Sequence, residues 1–488
     1  LGRTRCFDAF VVALSQACEG GKKRWYASTL ELQLTSLDMC RACRSISTLH
    51  VRVDDQTCER LWSPREVQPL PNTCSSEIRI STRVPAVRAL RLTWALPMEI
   101  LLRSAAIELW TSSECLELQG SLCMESLGSV DWSRRLTQLV LDAEFDFPIH
   151  DVSWPMVLER LVLGKFNQAI EGVAWPASMQ QLSFGARFNQ QISGVVWPVS
   201  LQQLSFGARF NQPISGVAWP VSLEHLSFGW SFNQPIVGVV WPASLQQLAL
   251  GEMFNQLVVG VVWPVALQQL SFGYHFNQPI AGVVWPVSLQ QLTFGGFNQP
   301  IAGVVWPVSL QQLSLGNHFN QPIAGVVWPA FLQQLTFGPA FNQPIAGTVW
   351  PVALQQLSFG KWFNQPIAGV VWPASLQQLS FGLHFNQPIA GVTWPVSLQQ
   401  LSFGLNFNQP IARVVWPASV QQLAFGARFN QPLAEVVWPV ALQQLSFGYH
   451  FNQPIAGVVW PVSLQQLSFG NHFNQPIAGV VWPASLQQ

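Results

Sequence analysis

The chain is 488 residues long, with 24 basic and 24 acidic residues, 49% hydrophobic residues and only 10% charged ones. A formal net charge of zero offers no attraction to nucleic acid or to an anionic membrane surface. The zero hides a division, because 39 of the 48 charged residues precede Phe166 and nine are spread over the 323 residues from Phe166 onward.

Residues 1–84 read as a separate N-terminal region of mixed composition. All eight cysteines fall between Cys6 and Cys123. Cys40 and Cys43 make a C-x-x-C, but Cys58 and Cys74 follow singly, whereas a zinc site ordinarily brings two close pairs together. Reduced thiols are favoured over a secreted disulfide framework or a metal site, and no metal or cofactor is expected. Leu49–Val53 (LHVRV) and Leu90–Leu92 (LRL) read as degenerate strands, and 85–131 as degenerate repeats or a cap. A cap is wanted physically, since an open solenoid end exposes unpaired strand and core.

From residue 132 onward the chain copies itself. A Trp-Pro pair recurs from Trp154 through Trp175, Trp197 and Trp219 to Trp482, in steps of 22 residues with two steps of 21. Trp132 extends the phase backwards, and LTQLVLDAEFDFPI (Leu136–Ile149) is a weaker copy with Asp146 where later copies have Asn. A period this short means a solenoid, in which each coil buries its apolar face against its neighbours. Within a coil, Leu201, Leu204 and Phe206 give L-x-x-L-x-F, and the alternation predicts a short strand at about Gln203–Phe206. The return path holds Pro213, Pro220 and β-branched Val217, which predict turns and extended backbone rather than α-helix.

Differences between copies sort the positions. The Gly that ends the strand (Gly207, Gly273, Gly404) never changes, which points to a positive φ or a close backbone approach. The Asn of F-N-Q is equally constant, and Asn189, Asn211, Asn233, Asn255 and Asn277 are predicted to form a structural ladder that bonds the backbone of adjacent coils. The Gly before V-V-W becomes Arg413 and Glu435, so a forced positive φ is not expected there and the position is read as facing solvent. The Trp of Trp-Pro is read as core in preference to an exposed stripe, because a row of exposed indoles would invite aggregation. One place varies freely, the pair written Tyr274-His275 in one coil. Elsewhere it supplies Arg187, Arg209, Trp230, His318, Trp362, His384, Arg428, Tyr449, His450 and His472, and one coil keeps only Gly296. Side chains of every kind imply projection into solvent. The position is then either a neutral loop or a contact strip carrying the residue types that dominate binding hot spots. His450 and His472 share a phase in consecutive coils, which puts their rings about 5 Å apart; ordinary surface histidines are favoured over a metal pair. The Gln pairs (Gln202, Gln203 and copies) line up as rows of donors and acceptors.

F-N-Q-P-I followed by W-P-x-S-L-x-x-L-x-F-G resembles the FNIP repeat family, over about Leu136–Gln488. Val-Val-Trp-Pro departs from that family's usual Gly-x-Leu/Ile-Pro. The resemblance implies a mainly β, leucine-rich-repeat-like solenoid of about 15–16 coils over residues 132–488, with short parallel strands and a mixed N-terminal region. It also implies protein interaction and no catalytic residues to carry over. Some members have an F-box before the repeats, and Leu34–Leu49 resembles the end of one.

The chain has no Walker loop, no G-x-S-x-G and no H-E-x-x-H, and only Glu171, Glu224, Glu252 and Glu435 are acidic after Phe166. An enzyme is therefore not expected. The favoured function is a non-enzymatic scaffold that binds a protein along the strand face and the variable pairs. The alternatives are a glycan- or surface-binding repeat protein and the substrate-recognition part of an F-box ubiquitin ligase adaptor. No nucleic acid or membrane span is expected, since no apolar run approaches the ~18–20 residues a span requires. The cytoplasm is the favoured compartment. The chain begins at Leu1 and stops at Gln488 within a coil, so it is read as a fragment whose uncapped ends could self-associate.

Overall fold

The computed structural model describes residues 145–487 continuously, with 132, 134–141 and the strand segments 32–33, 48–52, 89–94 and 115–120 before them. The chain divides into two compact units, Leu1–Phe232 and Asn233–Gln488. Among the described residues there are strands and turns and no helix. The fold is a parallel-strand β-solenoid of about fifteen coils with a 22-residue period.

In the first unit, the segments read as degenerate strands are strands, Thr48–Arg52 and Ala89–Trp94. They pair in parallel with each other, and the ladder continues through Cys115–Gly120, Gln138–Leu141, Arg160–Leu163 and Gln181–Phe184 to Gln203–Ser205 and His225–Ser227. Leu32–Gln33 lies antiparallel to Thr48–Arg52. In the second unit, parallel strands run from Gln247–Ala249 to Gln466–Ser468, and each Gln, Leu and Ser pairs with its copy in the next coil. The strand read at Gln203–Phe206 is one residue shorter in its own coil, at Gln203–Ser205, and full length at Gln269–Phe272.

A typical coil turns three corners, each a four-residue turn closed by a backbone hydrogen bond. In one coil the Phe276 N–H donates to the Gly273 carbonyl (3.3 Å), Val283 to Ile280 (3.2 Å) and Leu289 to Pro286 (3.1 Å). Proline can occupy the start of the last turn because only its carbonyl is used. The middle turn overturns one expectation. Gly282 has φ +83°, and Arg413 and Glu435, at the same position, have φ 64° and 63°. The third residue of a type II turn must be left-handed, so positive φ is imposed here whatever the side chain. Substitution misled the sequence reading because nothing lies within 4 Å of a Cβ built on Gly282. A side chain meets no clash, only the backbone cost. Arg413→Gly is accordingly expected to raise stability by about 1 kcal/mol, seen as a higher urea midpoint; an unchanged or lower midpoint would count against a strained Arg413.

The strand-ending glycines behave in the opposite way. Gly382 lies so close to the coil before it that an added Cβ would overlap the Gly360 carbonyl oxygen. Of the two expectations for these positions, close approach is the general cause, with Gly316 (φ 68°) also left-handed.

Inside the coils the apolar side chains stack in columns. Phe363, Phe385 and Phe407 succeed one another with ring centroids 6.1 Å apart and planes 5–6° from parallel. The Phe after each strand packs on them within its own coil, as Phe381 on Phe385 at 4.2 Å. Trp394 and Trp416 stack at 6.2 Å, and Trp394 meets Phe403 edge-on at 6.5 Å. Trp of Trp-Pro is thus core: Trp285, Trp394 and Trp438 are each 6% exposed. Such offset and edge-to-face contacts add to the simple burial of area.

Between coils a polar ladder runs beside the Phe column. The Asn189 N–H donates to Asn167 Oδ1 (2.8 Å), Asn211 to Asn189 (2.9 Å), Asn255 to Asn233 (2.9 Å) and Asn277 to Asn255 (2.9 Å). The ladder was expected; two contributions to it were not. The following Gln reaches back to the same Asn, as Gln256 Nε2 does to Asn233 Oδ1 (3.0 Å). At the last corner the Ser hydroxyl reaches carbonyls of the preceding coil, as Ser288 Oγ does to Val265 and Leu267 (both 2.7 Å).

Candidate functional site

In the second unit the strand side presents an uncharged polar surface. Along each strand the Leu points inward, while the Gln before it and the Ser or Thr after it are half-buried or exposed. Parallel register makes them continuous rows: Gln334, Gln356, Gln378 and Gln400 in one, Thr336, Ser358, Ser380 and Ser402 in another. Ser380 Oγ donates to Ser358 Oγ at 2.8 Å. From Gln334 to Ser468 these rows form a shallow open groove of about 520 Å³.

The variable pair occupies the corner immediately after this surface. Its backbone is as regular as the rest: the His384 N–H donates to the Lys361 carbonyl (2.9 Å), Asn406 to Leu383 (2.9 Å) and Arg428 to Leu405 (2.8 Å). Only the side chains differ. Trp230 is 57% exposed, Trp362 50%, Tyr449 46% and Tyr274 40%, and Arg187, Arg209, His275, His318, Arg428, His450 and His472 are also exposed. His384 is half-buried.

Several of these side chains meet across coils. Trp362 and His384 stack face to face, 4.1 Å between centroids and 2° from parallel, with Lys361 Nζ 5.1 Å from the Trp362 ring and Asn406 Nδ2 3.0 Å from His384 Nδ1. Further along, Tyr449 lies 4.3 Å from His472 and 5.0 Å from His450, and the two histidine rings are 5.0 Å apart. Around Tyr274, His275 lies at 5.4 Å and His318 at 5.0 Å. His318 belongs to the coil beyond Gly296, so the single-residue corner lets aromatics two coils apart touch. A Cβ on Gly296 would overlap the Tyr274 carbonyl and sit 3.2 Å from His318 Cδ2. Trp230, Arg187, Arg209 and Arg428 project from coils outside these three clusters.

Among the described residues no group of three or more His, Cys, Asp or Glu is placed to hold a metal ion, and no helix is long and apolar enough to cross a membrane. Cys40, Cys43, Cys58, Cys74 and most of the segment Leu34–Leu49 lie outside the described residues.

Sequence reading missed one surface. The V-V-W stretch alternates, so its first Val is buried and its second exposed: Val283 is 4% exposed and Val284 80%. At the next corner Val287 is 76% exposed. Three apolar residues in a row carry no period-two signal, so the sequence did not show that the second valine lies outside.

The chain matches the FNIP Repeat family in nine segments that together run from residue 166 to 488. Among solved structures it is similar to CroV588, a circular leucine-rich-repeat protein, at 37% identity and a TM-score of 0.66, over 82% of this chain and 65% of that one. The chain therefore spans about two thirds of that protein's length, at 65%. Weaker likenesses include the Drosophila Toll–Spatzle complex (12% identity, TM-score 0.47, 87% of this chain and 55% of that one). The functional domain of InlJ from Listeria monocytogenes follows at 10% identity and a TM-score of 0.39, over 70% of this chain and 71% of that one. No curated protein matches the chain.

Proposed function

The chain belongs to the FNIP repeat family, and on that premise we propose that it is a non-enzymatic scaffold that captures a protein partner along the strand face and the adjoining variable corner. One observation carries this reading: a constant coil frame holds changing, exposed aromatic and basic side chains in columns beside an uncharged polar groove. A partner lying along the columns meets a different side chain at each coil while the backbone beneath stays the same. Trp, Tyr and Arg are the residue types whose truncation costs most at interfaces. Trp362 is held flat by His384 before any partner arrives, so little side-chain freedom is lost on binding. Glycan binding through a long tryptophan row has less support, because the indoles of Trp-Pro lie inside the coils.

The test replaces Trp362, His384, Tyr449 and His472 together by Ala. Three of the four are exposed and His384 is half-buried, so the melting temperature stays close to wild type, while affinity for a captured partner is expected to fall at least about tenfold, the loss of one modest hot spot. Equal affinity in a folded variant would remove the variable corner from the function.

A further inference from the structure

In the second unit the side of the coil opposite in character to the polar strand face is apolar and uncovered. Pro279, Ala281, Gly282, Val284 and Val287 are all exposed in one coil, and the pattern recurs along the unit. Eighteen valines of this unit are more than two-thirds exposed. Consecutive coils present them as ridges: Val437, Val440, Val459 and Val462, with Pro432 and Pro454, line one groove of about 960 Å³. At roughly 60–100 Å² of side chain each, these valines expose on the order of 1,000 Å² or more. That exceeds the few hundred Å² usual for an exposed apolar patch. Eight of these valines, from Val371 to Val481, lie on the six coils around Arg413 and Glu435, and with the exposed prolines and alanines beside them they approach the ~800 Å² per partner of a standard interface.

The same unit contains five charged residues, Glu252, Lys361, Arg413, Arg428 and Glu435. Three belong to the variable pair, leaving Arg413 and Glu435 as the two charges elsewhere on its coils. They occupy the same corner of consecutive coils, with Arg413 Nε 3.5 Å from Glu435 Oε2 and side chains 85% and 68% exposed. Both hold the left-handed conformation that other coils assign to Gly. An exposed ion pair contributes little stability, so within the folded chain the strain has no evident return.

We propose that this face is the interface of a homodimer, formed by a second copy packed antiparallel. A two-fold axis passing between the coils of Arg413 and Glu435 brings Arg413 to the partner's Glu435 and Glu435 to the partner's Arg413. One charge of each sign, one coil apart, is self-complementary under that operation, which is what an isologous contact requires. Identical valine ridges match at any shift of one coil, so apolar packing alone leaves the register open. The paired charges select one register and leave no net charge buried. A basic excess, which an anionic lipid surface would require, is lacking on this face.

Sedimentation equilibrium of the full chain tests this. A concentration-dependent dimer is expected. Arg413→Glu alone and Glu435→Arg alone each place like charges opposite one another and should weaken it about tenfold or more. The double swap, Arg413→Glu with Glu435→Arg, should restore it. Val437→Glu with Val459→Glu should give a monomer that still folds, with a melting temperature no longer dependent on concentration, since both positions are about four-fifths exposed (78% and 82%). Trp362→Ala should leave the dimer intact, which separates this surface from the variable corner. A chain that stays monomeric overturns the proposal; flotation of that monomer with neutral phosphatidylcholine vesicles would assign the face to lipid, and no flotation to a different protein. A dimer indifferent to both the Glu substitutions and the charge reversals also overturns it.

Discussion

Gly382→Ala is expected to cost about 4 kcal/mol or more, the range kept for the few substitutions that force backbone apart. A single methyl does this because the atoms it meets are the carbonyl of Gly360 and the amide nitrogen of Lys361, 2.9 Å away, both in the coil before. Neither is the end of a flexible side chain. Relief requires the two coils to separate, yet their spacing is set by the ladder through Leu357 and Leu379 and by Phe359 and Phe381 stacked at 5.7 Å. Opening one interface forfeits contacts along all three sides. Stability in a solenoid is a sum of nearest-neighbour interfaces, so the loss should appear as a split melting transition with amide protection lost around residues 360–382. Gly391→Ala in the following corner is the control: φ is +75° and nothing lies within 4 Å of the new Cβ. It should cost only about 1 kcal/mol, the price of one left-handed residue. Equal losses at the two sites would show that conformation, rather than close approach, keeps the strand-ending glycines constant.

This contrast also shows what could be read from the sequence. Period, strand, Asn ladder and buried Trp were legible because each imposes a constraint on side chains that all coils share. Gly382 and its copies were legible as special for the same reason, since no residue with a Cβ fits. The middle corner was not. Its constraint lies in the backbone, and a position that is strained but roomy accepts Arg413 and Glu435, so variation there concealed the positive φ. The exposed valines were hidden differently: V-V-W is equally compatible with both valines inside, and only the chain's path decides that Val283 faces in and Val284 out. At the variable corner, solvent exposure followed from the mixture of side chains. The stack of Trp362 on His384 did not, because it depends on the aim of side chains rather than on their phase. Nor did the meeting of Tyr274 and His318, which follows from the shortened corner at Gly296.

Asn364→Leu is expected to cost about 1–3 kcal/mol although it keeps the same branched side-chain skeleton. The amide oxygen of Asn364 accepts the Asn386 N–H at 2.9 Å and the Gln387 Nε2 at 3.1 Å. With Leu the Asn386 N–H loses its acceptor at a partly buried site, while Gln387 Nε2 keeps the Asn364 backbone carbonyl at 3.0 Å; one such orphan costs on the order of 1–3 kcal/mol. The bond that the Asn364 N–H makes to Asn342 Oδ1 (2.9 Å) is backbone and survives, so the damage should run toward the following coil only. Amide exchange resolves this direction: Asn386 should lose protection while Asn364 keeps it. Asn364→Asp is the informative companion, because the chain already contains that arrangement. Asp146 Oδ1 accepts the Asn167 N–H at 2.7 Å and the Gln168 Nε2 at 3.1 Å. A carboxylate therefore serves as acceptor in the same geometry, and the charge strengthens the bonds it receives. Asn364→Asp should stay within about 1 kcal/mol of wild type and keep Asn386 protected. If Leu and Asp prove equally damaging, the side-chain amide must matter for a contact other than the two it accepts. If neither is damaging, the Phe and Leu columns hold the coils together without the ladder.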